Sequence, residues 1–80
     1  MSEKPPEFKM FMVRAEISFP DRPPMKDRVS IREESDERAI DKACEQLKRQ
    51  HPKARNMTLS TESIQINYKK ETKGWVKKRL

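Results

Sequence analysis

From Phe11 the apolar side chains fall on every second residue: Phe11, Val13, Ala15, Ile17 and Phe19 alternate with Met12, Arg14, Glu16 and Ser18. A period of two marks a strand with one buried face, so this stretch predicts a long strand that ends at Pro20. Pro20, Asp21, Arg22, Pro23 and Pro24 fix successive φ angles and remove amide donors, which predicts a stiff loop. A shorter alternating run follows from Arg28 to Arg32, with Val29 and Ile31 on one side, and its natural place is antiparallel to the first strand. The loop between the two is longer than a tight hairpin needs, and protruding loops often carry binding.

The period then changes. Ala39, Ile40, Ala43, Cys44 and Leu47 recur at helical spacing and form one stripe, with Arg38, Asp41, Lys42, Glu45 and Lys48 outside it. Ser35 precedes them as an N-cap, Asp36 and Glu37 suit the positive end of the helix dipole, Lys48 and Arg49 suit the negative end, and Pro52 stops the chain. The spacing therefore predicts a helix over 36–50.

Beyond Pro52 the apolar positions are odd at Met57 and Leu59 but even at Ile64, Ile66 and Tyr68. A strand cannot change its buried face without an extra residue, so the slip between 60 and 63 predicts a bulge or a short turn. Glu71–Gly74 reads as a turn because Gly74, the only glycine, takes positive φ without steric cost, and Trp75 and Val76 can begin a short closing strand. The fold class is α+β: a small antiparallel sheet of three or four strands with one α-helix packed on one face, in the order β-β-α-β with room for a short fourth strand. A single domain over residues 8–76 is expected between a flexible N-terminus, 1–7, and a basic flexible tail, 77–80. The expected core is Phe11, Val13, Ala15, Ile17, Phe19, Val29, Ile31, Ile40, Ala43, Leu47, Leu59, Ile64 and Ile66. One helix cannot cover both faces of such a sheet, so one face stays open.

Composition adjusts this picture only slightly. With 80 residues, 32% hydrophobic and 40% charged, and a mean hydropathy of -1.13, the chain leans toward disorder, but disordered chains lack this patterning. A domain of this size buries only about 60 to 65 per cent of its unfolded surface, so stability is modest. The single cysteine, Cys44, can form no internal disulfide and sits on the apolar stripe, where free cysteine acts as a small hydrophobe. No apolar run is long enough for a membrane span and no apolar signal segment follows Met1–Glu7, so a soluble, cytoplasmic protein without membrane contact is expected.

Chemistry is sparse. His51 has no Ser, Cys or carboxylate partner at a catalytic or metal-binding spacing, and the acidic run Glu33, Glu34, Asp36 and Glu37 coincides with a helix start. No activated nucleophile, paired acid and base, or phosphate-cradling glycine loop is present, so neither an enzyme nor a cofactor or metal site is expected.

Charge supplies the functional expectation. The chain carries +6, and all of it falls late: residues 1–52 hold eleven Lys/Arg against eleven Asp/Glu, residues 53–80 eight against two. With a pI near 9.7 this implies an anionic partner. Lys69, Lys70, Lys73, Lys77, Lys78 and Arg79, interleaved with Tyr68 and Trp75, combine phosphate neutralisation with aromatic faces that can stack on bases, and Lys53 and Arg55 extend the patch. Met10 and Met12 fall opposite the expected core and, with Met25, make an adaptable apolar patch for a protein partner or a second copy of the chain. The sequence thus points to a small non-enzymatic accessory protein that binds nucleic acid or a nucleoprotein complex through a basic C-terminal face. The alternative is a protein-interaction module or inhibitor, of the type phages and mobile elements encode, that covers a functional surface of a larger host complex.

Overall fold

The computed structural model describes residues 7–80. Strands β1 (Lys9–Ser18) and β2 (Met25–Glu33) form a hairpin, helix α1 (Asp36–Gln50) follows, and β3 (Asn56–Ser60), β4 (Gln65–Glu71) and β5 (Gly74–Arg79) complete the sheet. The five strands lie in the order β2-β1-β3-β4-β5, with every neighbouring pair antiparallel. The fold is α+β with one helix on one sheet face, and the strand count exceeds the expected three or four.

Two local features account for the additional strands. The phase slip between 60 and 63 is a turn in which the Thr61 amide donates to the Ile64 carbonyl (3.0 Å), and it separates β3 from β4. Gly74 takes φ 126°, which closes a tight turn through Thr72 and Lys73 and lets β5 pair back along β4. As a result Lys77–Arg79, expected in a flexible tail, belong to a paired strand that runs opposite Ile66–Tyr68. The expected flexible N-terminus falls, apart from Glu7, outside the described residues. Strand β2 begins at Met25 instead of Arg28, so only Phe19–Pro24 joins the first hairpin.

The helix matches its predicted bounds because both ends are capped. Ser35 is extended (φ -140°) and its Oγ accepts from the Arg38 amide at 3.3 Å, while the His51 amide donates to the Leu47 carbonyl at 2.8 Å. Thr61 Oγ1 donates to Asp36 Oδ2 at 2.6 Å, which ties the β3–β4 turn to the first turn of the helix.

Register decides which residues meet α1. Phe11, Val13, Ala15 and Ile17 of β1 share a face with Val29 and Ile31 of β2 and with Met57 and Leu59 of β3. The β3–β4 turn reverses the parity, so Ile66 and Tyr68 face the helix, and the β4–β5 turn reverses it again for Trp75 and Lys77. Ala39, Ile40, Ala43, Cys44 and Leu47 pack onto this layer. Phe11, Phe19, Val29 and Ile64, expected in the core, are only partly buried at its margin, while Met57, Ala54 and Tyr68 are buried within it. Each fully buried Ile, Leu or Met contributes about 1.5 to 3 kcal/mol relative to exposure, so a core this thin depends on every one of them.

The sheet is staggered. Lys9–Val13 pair with β2 alone, because β3 reaches only from Ser18 to Arg14, and β4 runs past β3 to Glu71 at the opposite end. The molecule is correspondingly long, 55 × 25 × 22 Å.

Candidate functional site

Several charges on the helix-covered face are paired. Glu33, buried at the end of β2, accepts from the Glu34 amide (3.1 Å) and meets Lys42 Nζ at 3.0 Å; that amide and then the lysine hold its carboxyl below the usual range, against the cost of burial. Lys77 of β5 reaches across to Asp41 at 3.0 Å and Glu37 at 3.4 Å. Partial burial works against its charge, but the hydrogen bond and charge of Asp41, and then of Glu37, outweigh it and raise its pKa. Tyr68 donates its phenol proton to Asp41, and burial, followed by that acceptor, pushes the phenol well above its usual value. Lys48 lies over the Trp75 ring at 5.3 Å. These contacts fasten β5 to the helix.

The other face has no helix. Its strand positions are Met10, Met12, Arg14, Glu16 and Ser18 of β1, Lys26, Arg28, Ser30 and Arg32 of β2, Asn56, Thr58 and Ser60 of β3, Gln65, Asn67, Lys69 and Glu71 of β4, and Val76 and Lys78 of β5. Arg14, Lys26, Arg28, Arg32, Lys69 and Lys78 thus stand against Glu16 and Glu71. None of those cations forms a salt bridge among the described residues. The polar middle is ordered by Asn67, whose Nδ2 donates to Asn56 Oδ1 at 2.7 Å and Thr58 Oγ1 at 3.1 Å. A shallow concavity of about 590 Å³ opens over β1, β2 and β3 between Arg14, Arg28, Thr58 and Ser60.

The residues expected to bind an anionic partner are therefore divided between faces. Lys69 and Lys78 lie on the open face. Tyr68 is 5% exposed and Trp75 half-buried beside α1, so neither is an exposed stacking platform; the parity reversals at the β3–β4 and β4–β5 turns place Tyr68 and Trp75, respectively, on the inner side. Lys77 is held by helix carboxylates, and Lys70 and Arg79 share its side of the sheet although both are exposed. Lys73 sits in the β4–β5 turn, and Lys53 and Arg55 lie in the α1–β3 connection near the end of the helix. The cations of the open face come from both halves of the chain. Arg14, Lys26, Arg28 and Arg32 stand out less in the sequence because an equal number of acidic residues balances the basic ones over residues 1–52. The signal was nonetheless present: these four are the even positions of the same alternation that located the core.

The methionines are also divided. Met10 (69% exposed) and Met12 (50%) stand on the open face of the projecting part of β1. Met25 lies opposite Ile17 at the far end of the hairpin, on the side of the helix, so it does not join them, and Met57 is fully buried.

Elsewhere the described residues hold no cluster of His, Cys, Asp or Glu able to bind a metal ion, and no helix long and apolar enough to cross a membrane. Burial pushes the Cys44 thiol up to about 11, which disfavours the thiolate a nucleophile needs. His51 caps α1 and packs edge-on against Phe19, with ring centroids 5.9 Å apart, while Arg22 stacks on the Phe19 ring at 4.0 Å. No protein-family model, curated protein or solved structure matches the chain.

Proposed function

We propose that this protein is a small non-enzymatic accessory protein that grips the phosphate backbone of nucleic acid with the open face of its sheet. Unpaired charge carries the reading: Lys77 on the covered face meets helix carboxylates, whereas none of the six open-face cations forms a salt bridge among the described residues, and Arg14 and Arg28 stand directly opposite each other. Such an array repels itself in isolation and gains from a polyanion that releases its counterions on contact. Because no aromatic side chain occupies a strand position of that face, base stacking is not supplied there, and phosphate contact dominates. Binding is then sequence-tolerant and steeply dependent on salt, with duplex at least as good a ligand as single strand.

The test is fluorescence anisotropy of labelled duplex and single-stranded oligonucleotides at low and near-physiological salt, using wild type and the variant Lys26→Gln/Arg32→Gln/Lys69→Gln/Lys78→Gln. Saturable wild-type binding that weakens with salt is expected, and the log–log salt slope of the variant should flatten by about 0.9 for each phosphate that is no longer neutralised. Undiminished affinity in the variant would reject the open face as the site.

A second reading is supported by one separate observation. Among the described residues Lys9–Val13 form an edge without a partner on the β3 side, and exposed Met10 and Met12 stand beside it. An unpaired edge is a template for another strand, so a protein partner or a second copy of this chain can add to it. Sedimentation equilibrium of wild type against Met10→Glu/Met12→Glu decides the self-association form: a wild-type monomer at all concentrations removes it.

A further inference from the structure

We propose that Arg14 and Arg28 form a clamp for a single phosphate group, the position at which one phosphodiester of bound nucleic acid is held; this rests on the reading of the open face as a nucleic-acid interface. The two arginines are direct cross-strand partners on β1 and β2. Side chains so placed have Cβ atoms about 4.5 to 5.5 Å apart, a separation at which like charges oppose each other. Two carboxylates, Glu16 and Asp27, line the same concavity, but neither is paired with the arginines. Glu16 belongs to the next row, opposite Lys26 and Thr58, and Asp27 turns its carboxylate to the backbone amide of Arg28 at 2.7 Å. Neither arginine forms a salt bridge among the described residues.

The surroundings fit a tetrahedral oxyanion. Arg14 is also opposite Ser60, which is opposite Gln65, so a hydroxyl and an amide continue the row in which the guanidinium groups stand. These groups, with Lys26 and the carboxylates Glu16 and Asp27 at the margin of the pair, line the 590 Å³ concavity, large enough to admit a phosphate group and its flanking sugars. Guanidinium groups present planar forks of N–H donors that match phosphate oxygens bidentately, which makes arginine, more than lysine, suited to seating one phosphate. Lys26 and Arg32 on β2 and Lys69 and Lys78 on the far strands extend the positive surface on both sides of the pair, as a continuous polyanion requires and an isolated small anion does not.

One-phosphate clamping has a distinctive consequence. Replacing both arginines frees one phosphate, so the salt slope of Arg14→Gln/Arg28→Gln should fall by about 0.9, with each single variant changing by less than that. Two arginines on separate phosphates would instead give about 0.9 each and about 1.8 together. Without ligand, either single variant should raise Tm by a few degrees, because it removes a like-charge cross-strand pair.

The experiment combines anisotropy of a labelled DNA duplex over a salt series with NMR of the arginine side-chain Nε–H signals of the whole protein, titrated with inorganic pyrophosphate at constant ionic strength. Shifts concentrated on Arg14 and Arg28, with a slope change of about 0.9 in the double variant, support the clamp. A double-variant change of about 1.8, made of about 0.9 from each arginine, overturns it and leaves the nucleic-acid reading standing. If the duplex does not bind at low salt, the nucleic-acid reading falls and so does a phosphodiester as the occupant; pyrophosphate shifts would then identify a general oxyanion site. Binding to vesicles containing phosphatidylserine in place of duplex would likewise overturn the proposal.

Discussion

The two faces of the sheet are made from alternate residues of the same strands, yet they treat charge in opposite ways. On the covered face Lys42 meets Glu33 and Lys77 meets Glu37 and Asp41, so each ion helps to fasten the helix to a strand. On the open face Arg14 stands opposite Arg28, and neither forms a salt bridge among the described residues. The difference teaches that net charge alone locates nothing here. Helix carboxylates hold Lys77 on one side, while the cations of the other side stay without a salt bridge among the described residues, whichever third of the chain supplied them.

The sharpest break in this contrast comes from exchanging apolar burial for surface charge as the target. Leu47 is fully buried between α1 and the sheet, and Leu47→Ala should cost about 2 to 5 kcal/mol in chemical denaturation. That is a large part of the total stability of a domain with so thin a core. Replacing Arg14 with Gln should change stability by no more than about 0.5 kcal/mol, in the favourable direction, because its side chain supports no packing. Equal destabilisation by both would mean that the open face is structural.

The pH limits of the fold belong to the covered face as well. The folded-state pKa of Cys44 is raised from 9.0 to about 11, so the unfolded chain ionises first; the associated stability is complete below pH 9 and declines as pH rises toward 11. Glu33 behaves oppositely: its carboxyl is lowered from 4.5, so its contribution is present above that pH and lost as pH falls through the folded value. Denaturation midpoints measured across pH should therefore fall at both extremes. Cys44→Ala should flatten the alkaline limb and Glu33→Gln the acidic one, and native Cys44 should resist thiol reagents at pH 8 until the protein unfolds. A fast native reaction would contradict its burial.

How much of this was legible follows from periodicity. The helix was readable to its ends because Ser35, the acidic first turn and Pro52 are local signals, and β1 was readable because nine residues hold one phase. The make-up of the open face was not, because it depends on two parity reversals, at Thr61–Ile64 and at Thr72–Lys73, that decide which lysines it carries. Tyr68 shows the difficulty. It shares the even phase of Ile66, which places it on the core side, but the basic residues around it made it resemble part of a binding segment. Charge clusters in sequence mix both faces of a strand, whereas alternation separates them.

Lys77 and Lys78 reduce the comparison to adjacent residues, and the expected effect is the smallest. Lys77 faces α1 and bonds to Asp41 and Glu37, while Lys78 lies opposite Asn67 on the open face. Lys77→Gln should lower stability by about 0.2 to 1 kcal/mol, the range of partly exposed ion pairs, and leave the salt slope of duplex binding unchanged. Lys78→Gln should do the reverse, holding the denaturation midpoint and flattening the slope by as much as about 0.9. Parallel measurement of both variants by denaturation and anisotropy separates function from folding within one strand. If Lys77→Gln weakens duplex binding as much as Lys78→Gln, the two faces do not divide the work, and the basic C-terminal segment, not the open sheet, is the unit that meets the anion.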